Sequence, residues 1–211
     1  MKITEIKRQK KNRNRVSIFI DGKYGFSLDY STLARSNLNI GDEVTDEEKE
    51  KLIAKDEFSR TRDYAYTLLS YRDRSEYELK RRLFEKGFHS EVIREVLTFL
   101  KDRGFVDDRS FVNKWVDNII MSRPMGRMKV VYELRQKRVN EDIIEEVCDE
   151  KLGFDTETIL ARKAAEKRIN VLTGYPQDII RKRLHTFLRN RGFDFEIIRE
   201  LMKEYFVDDI G

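Results

Sequence analysis

Few residues in this chain are spaced for covalent chemistry. Asp107-Asp108 could hold a divalent cation, but no His or Glu stands at helical spacing to complete a ligand set. The pair reads instead as an N-cap ahead of a helix over Phe111–Ile120. His89 and His185 fall in no ligand spacing, the first beside a helix stop and the second on a basic helix face, so both are expected at the surface. Cys148 takes an apolar register position and belongs in a core. Trp115, near Phe111 and Val112, is expected to pack between helical units rather than stack on bases. No Gly-x-x-x-x-Gly-Lys-Ser/Thr phosphate loop occurs, and no Ser/His/Asp or Cys/His set stands out. No catalytic residue, metal ligand or cofactor is expected, and the chain does not read as an enzyme.

The chemistry the chain does concentrate is cationic. Residues 76–86 carry Lys80, Arg81, Arg82 and Lys86 against three acids. Residues 127–137 carry Arg127, Lys129, Arg135 and Lys137 against Glu133 alone. Residues 181–191 carry Arg181, Lys182, Arg183, Arg189 and Arg191 against none. Windows 90–100, 141–151 and 195–205 reverse the sign, and Glu141 to Glu150 hold six acids. A stripe of one sign along a helical body suits a polyanion bound without regard to sequence. Antiparallel neighbours that simply attract each other would give the same pattern. The first fifteen residues add Lys2, Lys7, Arg8, Lys10, Lys11, Arg13 and Arg15.

These windows sit on a register used three times. Leu79, Leu83, Phe88, Ile93 and Leu97 recur as Val130, Leu134, Val139, Ile144 and Cys148, and again as Leu184, Leu188, Phe193, Ile198 and Met202. Apolar positions kept at a period near 50 residues mark a repeat architecture. Each repeat reads as three helices, basic in the second and acidic in the third. Ser75-x-x-Glu78 opens the second helix of repeat one, Gly87 and Gly192 stop second helices, and Ser90 and Asn140 can cap third helices. Pro124 with Gly126, and Gly174 with Pro176, break the first helices of repeats two and three from the second. Ala161, Ala164 and Ala165 mark the first helix of repeat three.

Residues 1–44 differ. Val16, Ile18 and Ile20 alternate toward Asp21-Gly22, and Tyr24, Phe26 and Leu28 alternate away, a hairpin signal. Ile3 to Gln9 supplies a third strand, a short helix starts at Ser31, and Leu38 to Val44 returns as an extended piece. Thr45-x-x-Glu48 then opens a helix of about 25 residues toward Tyr71, with Ala65, Leu68 and Leu69 as core positions. The expected fold is mainly α: three tandem three-helix repeats forming an elongated, curved solenoid, with a small β-rich N-terminal module. The divisions are 1–44, 45–105 for the linker helix and repeat one, 106–154 for repeat two and 155–211 for repeat three.

Composition agrees. Charged residues make up 39% of the 211, as do hydrophobic ones, well above the usual quarter for charge. One cysteine suits a reducing compartment, and no apolar run of about 18 residues could span a bilayer. The N-terminal charges precede no apolar run, so no secretory signal is expected. A cytoplasmic protein follows, and a monomer is expected.

Ala65, Leu68-Leu69, Arg72, Arg74-Ser75, Glu78-Leu79, Leu83, Lys86-Gly87-Phe88 and Val96-Leu97 resemble the first repeat of the RecX family. Val106-Asp107-Asp108, Phe111, Trp115-Val116, Arg123, Gly126, Glu133-Leu134 and Lys137 resemble its second. The resemblance covers about residues 60 to 206 and is looser in repeat three. Arg138 stands where the family has Gly, and Asp73 where Pro is common. The β-rich start resembles the extension on longer members. What the resemblance implies is a bacterial regulator of the RecA recombinase, one that binds RecA and the RecA–DNA filament. Such proteins limit filament growth, strand exchange, ATPase and coprotease activity, and so act on recombination and the SOS response. The motif positions carried over as contacts are Arg72, Arg74, Lys86, Arg123 and Lys137. Single- and double-stranded DNA are expected partners without sequence preference. A sequence-specific transcription regulator is the alternative, but acidic third helices would repel the phosphates beside a major groove. A helical scaffold without nucleic-acid contact is a third reading.

Overall fold

The structure is a computed structural model and describes residues 1–206. Residues 207–211, which the sequence reading placed in repeat three, lie outside the described residues.

Alternation near the N-terminus produces β1 (Ile3–Arg8), β2 (Arg15–Ile20) and β3 (Lys23–Asp29), an antiparallel sheet in that order. Val16, Ile18, Ile20, Phe26 and Leu28 are buried with Ile3 and Val44. Asp21 and Gly22 both take positive φ, 49° and 79°, as a two-residue hairpin turn requires. Tyr24 departs from the expected alternation. The register shifts between Ile18 and Phe19, and the Tyr24 ring is exposed beside Phe19. Residues 38–44 form no strand. A single bridge pairs Lys2 with Glu43, and the Gly41 and Val44 amides donate to Ile3 and Met1 carbonyls.

α1 (Tyr30–Ser36) leads to α2 (Asp46–Tyr71), whose Thr45–Glu48 capping box closes as expected. Asp56 of α2 is buried. Its carboxylate accepts the Asp29 amide at 2.6 Å and meets the Arg15 guanidinium at 3.3 Å. The sheet is thereby tied to α2 by charge as well as by packing.

Among the described residues nine helices carry the repeats. They are α2, α3 (Glu76–Glu85) and α4 (Ser90–Asp102); α5 (Asp108–Ser122), α6 (Arg127–Gln136) and α7 (Glu141–Lys151); α8 (Phe154–Val171), α9 (Gln177–Asn190) and α10 (Phe195–Tyr205). Every position of the triple register is buried except Phe88, which is half-buried against the same core. The chain forms two compact units. One comprises residues 1–73 and 79–106, the other 74–78 and the chain from 107 onward, so α3 begins in the second and continues in the first. The first unit holds two apolar clusters, one under the sheet and one around Leu79, Leu83, Ile93 and Leu100. In the second unit a single continuous core joins α5 through α10.

Stops follow the register too. Gly87, Arg138 and Gly192 each take left-handed φ, at 93°, 54° and 75°. Arg138 therefore ends its helix as glycine would, in a conformation that strains a residue with a Cβ. Two starts differ from expectation. His89, not Ser90, holds the N-cap of α4, because its amide donates to Glu57 Oε1 at 3.0 Å and its ring meets the same oxygen at 2.6 Å. α5 starts at Asp108, with Asp107 accepting the Arg109 and Ser110 amides. The Asp108 carboxylate accepts the Glu76 amide at 2.8 Å, which accounts for the acid pair without a metal.

Candidate functional site

The cations of the three second helices meet different fates. In repeat two they are largely neutralised. Arg127 enters α6 partly buried and pairs with Glu145 and with Asp149 at 2.8 Å, both on α7. Arg135, near the other end of α6, grips Glu141 and lies 3.8 Å from Glu145. This bond draws the Glu141 carboxyl below its ordinary range. Arg109 of α5 also pairs with α7, at Glu146. Lys129 alone projects without an ion pair among the described residues, its ammonium 5.2 Å from the Tyr132 ring.

Lys86, Lys137 and Arg191 hold one register position, the residue before each left-handed stop. Each lies over an aromatic ring of its own repeat: Tyr64, Trp115 and Phe187, at 5.3, 4.6 and 5.0 Å. Such contacts bind the cation where it is partly desolvated. Lys137 is the most enclosed. It pairs with Glu78 at 2.9 Å, with side chains 17% and 15% exposed. The carbonyls of Lys137 and Arg191 are taken as well. Ser75 Oγ donates to Lys137 O, and the Gly126 amide donates to Arg191 O, each at 2.9 Å. The cap of one second helix thus seats on the stop of the following one. Gly126 and Gly192 approach so closely that a Cβ on either would strike backbone, which explains both glycines beyond their role as breaks.

On α9, Lys182, Arg183 and Arg189 are exposed and enter no ion pair among the described residues. Arg181 is exposed beside them. On α3, Arg81 and Arg82 share one carboxylate, Glu85, and Lys80 stays exposed. Arg72 donates to Asp73 O at 2.8 Å, and Arg74 is half-buried. Arg123 ends α5, and its charge bears on Arg191. Among the N-terminal cations, Arg15 is committed to Asp29 and Asp56, and Arg8 lies over Tyr30.

Two residues with clear roles escaped the sequence reading. Glu157, buried in the first turn of α8, accepts the Arg127 amide at 3.2 Å and the Asp194 amide at 3.0 Å. One carboxylate thus serves the N-termini of α6 and α10, and burial raises its pKa despite both donors. Arg168, near the end of α8, lies over Phe187. Nothing in local spacing distinguishes either from a solvated helix charge. Cys148 is buried, its thiol pushed up to about 11 by desolvation, and Trp115 packs on the core of the second unit. Among the described residues no three His, Cys, Asp or Glu gather to hold a metal, and no helix is long and apolar enough to cross a membrane.

This is the fold of a tandem trihelical repeat protein with an N-terminal β module. Family models place it further. Residues 1–45 match the regulatory protein RecX N-terminal domain, and residues 62–100, 107–147 and 153–202 match the first, second and third RecX three-helix domains. Regulatory protein RecX of Clostridium botulinum (strain Alaska E43 / Type E3) is 32% identical over 207 residues, covering 96% of this chain and 95% of that protein. The Chlorobaculum tepidum protein of the same name is 40% identical over 141 residues, 67% of this chain and 85% of its own length. A crystal structure of regulatory protein RecX aligns with TM-score 0.69 at 25% identity, covering 96% of this chain and 98% of that one. RecX from Lactobacillus salivarius shares the fold, at TM-score 0.62 and 21% identity over 71% of this chain and 97% of its own. The chain belongs to the RecX family of regulatory proteins.

Proposed function

We propose that this protein regulates recombinational DNA repair by binding the RecA recombinase and the RecA–DNA filament, limiting filament extension, strand exchange and ATPase and coprotease activity. It acts by binding rather than catalysis, as a cytoplasmic monomer. The observation that carries the reading is the unequal use of charge. Repeat three keeps cations in excess on its second helix, and repeat one exposes Lys80, Arg81 and Arg82 on its own, available to DNA phosphates. Repeat two commits Arg127 and Arg135 to α7, and part of α7's acid faces solvent, a surface suited to protein rather than nucleic acid. Of the sixteen cations singled out, those proposed to meet DNA or an acidic RecA surface are Lys80, Arg81, Arg82, Lys129, Arg181, Lys182, Arg183 and Arg189. Arg127, Arg135 and Lys137 are proposed to act through the fold that presents them.

Sequence-specific readout through the third helices is disfavoured by their charge, since six acids on α7 would oppose phosphates on either side of a groove. The test is inhibition of RecA ATPase on single-stranded DNA by the Lys80→Glu, Arg81→Glu, Arg82→Glu variant. The reading expects weakened inhibition at unchanged helical content. Full inhibition by the folded variant would remove α3 from the contact surface.

A further inference from the structure

In repeat three, one stripe of α9 and the end of α8 border an open cleft of about 430 Å³. Lys182, Arg183 and Arg191 supply one wall and Arg168 the other, with no acidic residue in the lining. The cations are held in place rather than loose. Arg168 and Arg191 lie over the same Phe187 ring, at 5.3 and 5.0 Å. Arg191 donates to Pro124 O at 2.9 Å, and Arg183 lies 4.3 Å from the Tyr175 ring centre. The Arg168 Nε is buried and has no hydrogen-bond partner. An unpartnered buried donor among four like charges is costly unless an acceptor completes it. Burial and the nearby Arg123 charge lower the Arg191 pKa, the direction expected where cations gather without counter-charge.

We infer that this cleft is an anion site for a nucleic-acid phosphodiester, which anchors the strand on repeat three. The inference rests on the DNA-binding reading above and narrows it to one place. Lys and Arg contacts to phosphate act without sequence preference, and guanidiniums held over rings need little further ordering to engage an oxygen fork. Arg168 is thereby added to the interface.

The test uses the full chain and a fluorescein-labelled oligo-dT, with affinity measured by anisotropy across a salt series. Arg168→Gln with Arg183→Gln should weaken binding about tenfold and lower the log–log salt slope by about 1.4, from two lost single-strand phosphate contacts. Lys163→Gln with Lys167→Gln, exposed on the same α8, is the charge-matched control and should change neither. Should Arg168→Gln lower thermal stability, Lys182→Gln with Arg183→Gln replaces it, with the same expected slope. Inorganic phosphate at millimolar concentration should displace the oligonucleotide from wild type more readily than from the cleft variant. Cleft variants with the wild-type slope would overturn the inference while leaving DNA binding intact. A wild-type protein without salt-dependent binding would overturn the proposed function as well.

Discussion

Repeats two and three share one core and one register, yet their basic helices differ. On α6, Arg127 and Arg135 are bound across to acids of α7. On α9, Lys182, Arg183 and Arg189 find no acid among the described residues, although α10 runs alongside with Glu196, Glu200 and Glu204. Glu204 is taken by Arg162 of α8 and Glu196 lies beside Arg199 of its own helix. Two helices of equal sign therefore differ: α6 ties Arg127 and Arg135 to its neighbour, whereas Lys182, Arg183 and Arg189 of α9 enter no ion pair among the described residues, as the proposed DNA contact requires. Counting basic residues cannot separate the two, but the position of the nearest carboxylate can.

The comparison breaks most sharply at the stops. Gly192→Ala would force a Cβ into the Lys129 backbone at left-handed φ and should cost about 3 kcal/mol or more. Gly87→Ala, at similar φ with open space around it, should cost about 1 kcal/mol. Urea denaturation of both variants measures the gap, and equal losses would remove the tight joint from the account.

Next in size is Glu157→Ala, which strips two helix N-termini of a shared buried acceptor and should cost about 2–3 kcal/mol. Glu157→Gln keeps an acceptor and should cost less. The pH dependence has a definite sign. The folded pKa is raised, so as pH climbs from about 4 the unfolded carboxyl ionises first. Wild-type stability relative to Glu157→Gln should therefore fall with rising pH until the folded group has ionised too. Thermal melts of both proteins across that range give the difference directly.

Lys137→Ala removes the Glu78 ion pair and the Trp115 contact together, and should cost about 2 kcal/mol by denaturant titration. Arg127→Ala, less enclosed, should cost about 1 kcal/mol, whereas exposed Arg183→Ala should stay within about 0.5 kcal/mol. At the small end, Arg138→Gly should stabilise by about 0.5–1 kcal/mol, by relieving left-handed strain at the one second-helix stop, among the described residues, that lacks glycine. A loss there instead would mean the Arg138 side chain contributes more than its backbone costs.

The repeats were legible in the sequence because burial repeats with the helix. Leu79, Val130 and Leu184 face their cores for a reason contained in a few turns of chain. Caps such as Thr45, Asp107 and Asn140 were legible too, being decided within four residues. What local spacing could not carry was the destination of long polar side chains. Lys137 and Lys182 look alike in sequence, and only the approach of Glu78 and Trp115 makes the first internal. Glu157 reads as an ordinary helix-start acid, though its partners lie 30 and 37 residues away. Gly126 reads as a helix break and Gly192 as a stop, while the closer constraint is the approach of Gly126 to Gly192 and of Gly192 to Lys129. Tyr24 failed for a similar reason, since a register shift in the hairpin is invisible to strict alternation.

The division between committed and available cations is best tested on the filament itself. RecA ATPase on single-stranded DNA would be titrated with wild type, an α9 variant (Lys182→Glu, Arg183→Glu, Arg189→Glu) and an α6 variant (Arg127→Gln, Arg135→Gln), well below the melting point of each. The account predicts that the α9 variant needs about tenfold more protein for half-inhibition, while the α6 variant inhibits like wild type and melts earlier. An α6 variant that loses inhibition, beside an α9 variant that keeps it, would contradict the account.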